Sequence, residues 1–319
     1  MLGHGANQRR CIGFALLLLS PVVAAQAAQD WLARMAEAAR EENFHGAFIY
    51  ERTGSFTTHQ IWHQVADEVV TERLIQTDGE PREWLWRDGE LQCANLSTAK
   101  SGWRNTISPV AEPVALGDWY EFQVLGTTRV ASRPVTVLAV QPRDAHRYGY
   151  EYYLDTETGL LLKSLMINDR QALLERFQFA TFEHGPSLDD RLTPSPACID
   201  IEPTSASDVV PAYSWQPAWL PAGFAIKGQA TGLVDETGAL VASQVYSDGI
   251  ARFTLFIEPL VDVQLAENIR AQLGPTVAVS RVVDMSDGAY LATLVGEIPP
   301  ETAESIVGSL LPDQREATP

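Results

Sequence analysis

The stretch Gln141-Pro-Arg-Asp-Ala-His-Arg-Tyr-Gly-Tyr-Glu-Tyr-Tyr-Leu-Asp-Thr-Glu-Thr-Gly-Leu-Leu-Leu-Lys-Ser-Leu-Met166 decides the fold, because it reads as a β-hairpin. Period-2 alternation puts Tyr148, Tyr150, Tyr152 and Leu154 on one face, with Arg147, Gly149, Glu151 and Tyr153 on the other. The turn Asp155-Thr156-Glu157-Thr158-Gly159 offers a side chain that can bond its own backbone, then a glycine free to take positive φ. The second arm, Leu160 to Ile167, is apolar on both faces and needs cover on both. With Arg143, Arg147 and Lys163 along its edges, this sheet is either a sandwich core or one wall of an apolar groove rimmed by cations.

Working outward, Tyr120 to Val130 and Pro134 to Gln141 read as strands ahead of the hairpin, and Leu173 to Phe182 as one after it. Further back, Phe44 to Tyr50, Ser55 to Ala66, Val69 to Gln76, Pro81 to Trp86 and Leu91 to Leu96 make a meander. Its turns fall at Thr53-Gly54, Asp67-Glu68, Asp78-Gly79 and Asp88-Gly89. From Ser97 to Gly117 the pattern fails, and a long loop is expected. So many consecutive strands must curl, split or close. One amphipathic helix, N-capped by Asp30 and running to Glu42, can plug the concave side.

Gly185 to Tyr213 is rich in Pro, Ser and Asp and reads as a boundary. Beyond it, Phe224 to Thr231, Leu240 to Tyr246, Ala251 to Ile257, Val277 to Val283 and Ala289 to Gly296 are expected strands. Val263 to Leu273 and Glu301 to Leu311 are expected helices. The fold class is therefore α+β: an N-terminal curled antiparallel β-sheet with one plugging helix, plus a small C-terminal α+β domain. The expected organisation is a signal peptide over 1–27, a first domain over 28–184, a linker over 185–212 and a second domain over 213–319.

The signal peptide follows from Arg9-Arg10, the short apolar run Ile12 to Leu19, and the small residues around Ala25 and Ala27. Without its two arginines, 21 of the 23 basic residues remain against all 41 acidic ones, a formal charge of −20. That balance argues against nucleic acid, whose binding depends on cations lining the phosphates. Export also places Cys93 and Cys198 in an oxidising compartment, where a disulfide between them is expected.

Motifs for chemistry are missing: there is no hydrolase elbow, P-loop or dinucleotide fingerprint. His59 and His63 sit on an expected strand, roughly 13 Å apart at the usual rise, too far for one metal ion. Asp144, Glu151, Asp155 and Glu157 suit turn and edge duty. Arg82, Arg133, Arg143 and Arg147 adjoin apolar strands, where a guanidinium suits a carboxylate or phosphate. No catalytic residue, cofactor or metal is expected.

Many short runs, in order, match one family. They include Asn43 to Tyr50, Glu72-Arg73-Leu74, Asp78 to Glu83, Arg129 to Arg133, Pro142-Arg143-Asp144, Arg147-Tyr148-Gly149, Asp155 to Ser164, Leu220-Pro221-Ala222-Gly223-Phe224 and Ser247-Asp248-Gly249. Over nearly all its mature length the chain resembles the RseB/MucB regulators of envelope stress. The resemblance implies a first domain like the periplasmic lipoprotein carriers, a curled sheet around an apolar cavity. It also implies periplasmic localisation and a second domain that grips the periplasmic region of a membrane-spanning anti-sigma factor, shielding it from proteolysis. Lipopolysaccharide or lipoprotein acyl chains would be the releasing signal. On this view Leu161, Leu165 and Lys163, with Arg82, Arg133, Arg143 and Arg147, take the lipid, and Phe224, Ser247, Asp248 and Gly249 face the partner. Ala131-Ser132-Arg133 departs from the family's Ala-Gly-Arg. A lipid or lipoprotein carrier is the alternative, and a homo-oligomer is left open.

Overall fold

The computed structural model describes residues 21–95, 116–186, 191–201, 215–234, 240–260, 268–285 and 288–312. The described residues open with helix α1 (Pro21–Glu41), then run through β1 (Phe44–Arg52), β2 (Ser55–Ala66), β3 (Val69–Gln76), β4 (Arg82–Arg87) and β5 (Glu90–Ala94). A second meander follows: β6 (Tyr120–Val130), β7 (Arg133–Pro142), β8 (Gly149–Asp155), β9 (Leu161–Ile167) and β10 (Leu173–His184). With the short β11 (Ile199–Asp200), these strands form an eleven-stranded sheet in the order β11-β5-β4-β3-β2-β1-β10-β9-β8-β7-β6. The two meanders therefore meet at the antiparallel β1–β10 pair, and the chain passes from one edge of the sheet to the other between β5 and β6.

The turns follow their side chains. Asp88 and Gly89 take φ of 47° and 86° in the two-residue loop the Asp-Gly pair demands. In the β6–β7 loop Ala131 and Ser132 are also left-handed, at φ 46° and 64°, although neither is glycine. Ser132→Gly should therefore stabilise the protein by about 0.5–1 kcal/mol, read as a higher urea midpoint at unchanged slope. Gly46 answers a different need, since a Cβ there would overlap Thr181 O on the neighbouring strand.

Along α1, Ala28, Leu32, Met35 and Ala38 recur on one face and are buried against Phe44, Phe48, Tyr120, Tyr152, Leu154 and Phe177. The sheet curls around this helix, as the plugging role requires, and each fully buried Leu or Met adds about 1.5–3 kcal/mol. Asp30 is not its N-cap: it lies inside the helix, which among the described residues already runs from Pro21. Residues 1–20 of the expected signal peptide, and nearly all of the expected loop Ser97 to Gly117, lie outside the described residues.

Beyond the first sheet come β12 (Trp215–Pro217), β13 (Ala225–Val234), β14 (Leu240–Ser247), β15 (Arg252–Pro259), β16 (Arg270–Leu273), β17 (Thr276–Met285), β18 (Gly288–Gly296), helix α2 (Pro300–Gly308) and β19 (Leu310–Pro312). Six of them form the sheet β13-β14-β15-β18-β17-β16, while β12 pairs with β19. Phe253, Leu255 and Ile257 alternate inward and meet Ile306 and Val307 of α2 in a second core. Arg270 to Leu273 is thus a strand, where the sequence suggested the end of a helix: pairing with β17 overrides the propensity of Arg-Ala-Gln-Leu. The closing helix stops at Gly308, and Leu310 turns back to pair with Pro217. A helix carried to Leu311 would forfeit that ladder.

The stretch between the sheets is not a bare linker. Cys198 is joined to Cys93 by a disulfide, with Cα atoms 5.4 Å apart, and Ile199–Asp200 pairs with β5 as an edge strand. Glu83 accepts from the backbone N–H and hydroxyl of Ser195, while Arg73 donates to Arg191 O. Burial alone would raise Glu83, but Ser195 and Arg73 hold it below the usual carboxylate range.

Candidate functional site: the seam between the two sheets

Arg147 stands just before β8, and its side chain is completely buried. Its Nε donates to Asp248 Oδ2 at 2.6 Å, while its Nη atoms reach Asp144 and the carbonyl of Ala222. The guanidinium also lies 5.8, 5.6 and 5.2 Å from the rings of Trp119, Tyr120 and Phe224. A buried charge survives only when paired and hydrogen-bonded, and here the partners come from both sheets. Asp248 is equally buried: its second oxygen accepts the N–H groups of Ile250 and Ala251, and Oδ2 also takes the Tyr120 hydroxyl at 3.0 Å. Desolvation, then the Asp248 charge, pushes the Tyr120 phenol well above its ordinary value, so it stays a donor.

The turn that carries Asp248 is shaped by its neighbours. Ser247 Oγ donates to Ala251 O and accepts from Gly249 N, and Gly249 takes φ +107° with Leu116 where a Cβ would stand. Across the seam Gly223, at φ +90°, leaves room for Trp119, whose ring would meet a Cβ at 2.5 Å. Nearby, Tyr148 OH donates to Ile298 O at 3.1 Å, and burial moves its pKa up to about 12. His146 pairs with Thr302 at 3.1 Å and packs edge-on against Trp219.

A second anchor lies further along. Arg52 Nη2 reaches Glu175 at 2.8 Å and Glu297 at 2.7 Å, and its Nη1 donates to Thr276 Oγ1 at 3.1 Å. Beside these contacts opens a cleft of about 640 Å³, walled on the first sheet's side by Pro142, Tyr148, Ile167 and Leu174 and on the other by Gln272 and Pro299. Arg170 and Arg270 also line it. The lining is mixed, with Asp144, Asp169 and Glu301 beside the apolar and basic side chains.

The structure redistributes the residues singled out in the sequence. Arg147, which borders the cleft, spends its guanidinium on Asp248, Asp144 and the Ala222 carbonyl. Phe224, Ser247, Asp248 and Gly249 are not a free partner surface either: they build the seam, because the second domain packs its turns against the first sheet. Arg133 is held bidentate by Asp155 at 2.9 and 2.8 Å and also by Glu157 at 2.8 Å. Arg143 donates to Gly117 O at 3.1 Å, and Arg82 lies exposed at the start of β4.

Leu161 and Leu165 do not share a wall. The register sets Leu161 opposite Leu154 on the helix side, whereas Leu165 faces Glu151 and Lys163 faces Tyr153 on the outer side. Lys163 Nζ sits 4.3 Å from the Tyr153 ring centre. The concave side itself is filled by α1: the pocket bounded by Met35, Phe44, His63, Leu161 and Phe182 holds about 20 Å³, room for roughly one water. His63 stacks on Phe44 at 4.7 Å, and His59 on Phe48 at 5.0 Å. Burial lowers His59 to about 4. Among the described residues no group of three metal-binding side chains converges. Sequence reasoning passed over Trp119, Tyr120, Arg52, Glu175 and Glu297. The one available signal was Gly223 and Asp248 standing inside two of the recurring motifs.

Comparison with known proteins covers both sheets. The MucB/RseB N-terminal domain family model matches residues 27–197, and the MucB/RseB C-terminal domain model matches 210–311. The sigma factor AlgU regulatory protein MucB of Pseudomonas aeruginosa is 43% identical over 301 residues, covering 93% of this chain and 95% of that protein. The sigma-E factor regulatory protein RseB of Haemophilus influenzae is 28% identical, covering 91% and 94%. Among solved structures, MucB in complex with MucA(peri) superposes with a TM-score of 0.75 at 44% identity, covering 89% of this chain and 98% of that one. The Pseudomonas aeruginosa MucA/MucB complex gives 0.77 at 43%, covering 90% and 99%.

Proposed function

The chain belongs to the MucB/RseB family, and within it we propose a periplasmic regulator that binds the periplasmic region of a membrane-spanning anti-sigma factor. It shields that partner from proteolysis and lets go when a lipid-like damage signal arrives. The observation that carries this reading is the match, across both domains, to a MucB captured with MucA(peri). The curated relatives are regulatory proteins, and the seam offers positioned ion pairs instead of a nucleophile and base, which fits a regulator better than an enzyme.

The releasing signal is an acyl chain of lipopolysaccharide or lipoprotein, taken by the cleft between the sheets. Its apolar lining of Pro142, Tyr148, Ile167, Leu174 and Pro299 suits an alkyl chain, and Arg170 suits a phosphate or carboxylate, whereas Arg270 is already paired with Glu301 and Glu304. Burying methylenes at about 0.8 kcal/mol each supplies more than the 1–3 kcal/mol usual for coupling between two sites. A lipid or lipoprotein carrier is less well supported, since α1 occupies the concave side such a carrier would use.

Calorimetric titration of the processed protein with the partner's periplasmic region, with and without lipopolysaccharide, tests the proposal. Lipid is expected to weaken partner binding by about 5–150-fold, and partner to weaken lipid binding by the same factor. Absence of partner binding removes the regulator. Lipid that binds without changing partner affinity removes only the sensor.

A further inference from the structure

We propose that Arg52, Glu175 and Glu297 form a proton-controlled latch between the two sheets, closed in mild acid and loosened as the pH rises through neutrality. The latch concerns the free chain and goes beyond the binding reading above. It joins residues 245 positions apart: Arg52 of β1 donates through Nη2 to Glu297 at 2.7 Å. The same nitrogen lies 2.8 Å from Glu175 of β10, which also accepts from Arg52 Nε at 2.8 Å and from the Tyr50 hydroxyl at 2.7 Å. The guanidinium is thus committed first to Glu175, whose side chain is 2% exposed, and only in part to Glu297, which is 16% exposed.

Two ionised carboxylates on one arginine leave a net negative charge where little water reaches. A proton on Glu297 removes it while keeping a hydrogen-bonded contact. Burial, then the Glu175 charge, raises the Glu297 carboxyl to about 7, against the pull of Arg52 and of Arg252 on β15. Tyr50 on β1 and Tyr148, Tyr150 and Tyr152 at β8 also face this charge, all with pKa values raised first by burial, so they stay neutral here.

When the sheets part, Glu297 meets water and returns to an ordinary value of about 4.3. Its pKa is therefore higher in the docked form, and docking binds a proton. The stabilisation is fully present below the undocked pKa and is lost as pH rises through about 7. From pH 8 to pH 6 the docking equilibrium should tighten about tenfold. The cleft would feel it, since Glu297 precedes Pro299 and Leu174 precedes Glu175, both cleft walls.

Amide hydrogen exchange of the full chain, read on seam peptides spanning 50–54, 270–277 and 296–300, tests the latch. Glu297→Gln keeps the same amides and a permanently neutral side chain, so the wild-type to variant ratio cancels the intrinsic pH dependence of exchange. The wild type should match the variant only below about pH 4, where Glu297 is protonated in both forms, and the wild-type to variant ratio of exchange at the seam should rise about tenfold from pH 6 to pH 8. Glu175→Gln removes the like charge and should move the wild-type break to lower pH, which carries the test if Glu297→Gln does not fold. A ratio flat from pH 6 to 8 overturns the proposal, and so does a break that stays put in Glu175→Gln.

Discussion

Arg147→Ala is expected to destabilise the protein by about 3–5 kcal/mol and to uncouple its two sheets, because it leaves the Asp248 carboxylate buried without its cation. The removed guanidinium also bridges three aromatic rings and the Ala222 carbonyl, so no surface ion pair compares with it. Urea unfolding followed by tryptophan fluorescence, to which Trp119 and Trp219 at the seam contribute, and by far-ultraviolet circular dichroism should change from coincident to separated transitions. Adding Asp248→Ala should return part of the loss, since the orphaned charge goes with it. Coincident curves at the wild-type midpoint would show that Arg147 does not hold the seam. Lipid affinity, by contrast, should respond to Arg147→Ala only through this loss of docking.

Cys198→Ser should cost about 2–5 kcal/mol, the ordinary price of losing a native disulfide that closes a long loop. The bond spans 105 residues and fixes the strap that carries β11 against β5. Its loss frees Ile199–Asp200 from the sheet edge, while Ser195 can still hold Glu83. The check is a lowered denaturation midpoint, together with thiol labelling of the denatured, unreduced wild type. Two reactive thiols in the processed wild-type chain would contradict the bond.

What was readable in the sequence was local. Alternation over Tyr148 to Leu154 placed four side chains on the buried face, and they are buried. Turn chemistry at Asp88-Gly89 and Ser247-Asp248-Gly249 located hairpins, because φ preferences and short-range hydrogen bonds depend only on neighbours in the chain. The plugging helix was legible from its apolar face, though not its extension ahead of Asp30. Errors arose where distant pairing outweighed propensity, as at Arg270–Leu273 and Leu310–Pro312.

The site was the reverse case. Alternation sends Arg147 to the face opposite the tyrosines, which from sequence alone is either part of a sandwich core or the rim of an apolar groove. Only the second sheet's arrival turns that face into an interior, with Asp248 as the partner 101 residues away. The same holds for Arg52 with Glu297, and for Leu165 and Lys163, whose facing is set by a register irregularity in β8–β9. Apart from Arg270–Leu273 and Leu310–Pro312, strand, turn and helix were fixed by interactions within a few residues, so the chain determined them by itself. Which charges were buried, and between which sheets, depended on desolvation by surfaces remote in sequence, and only the tertiary structure decided it.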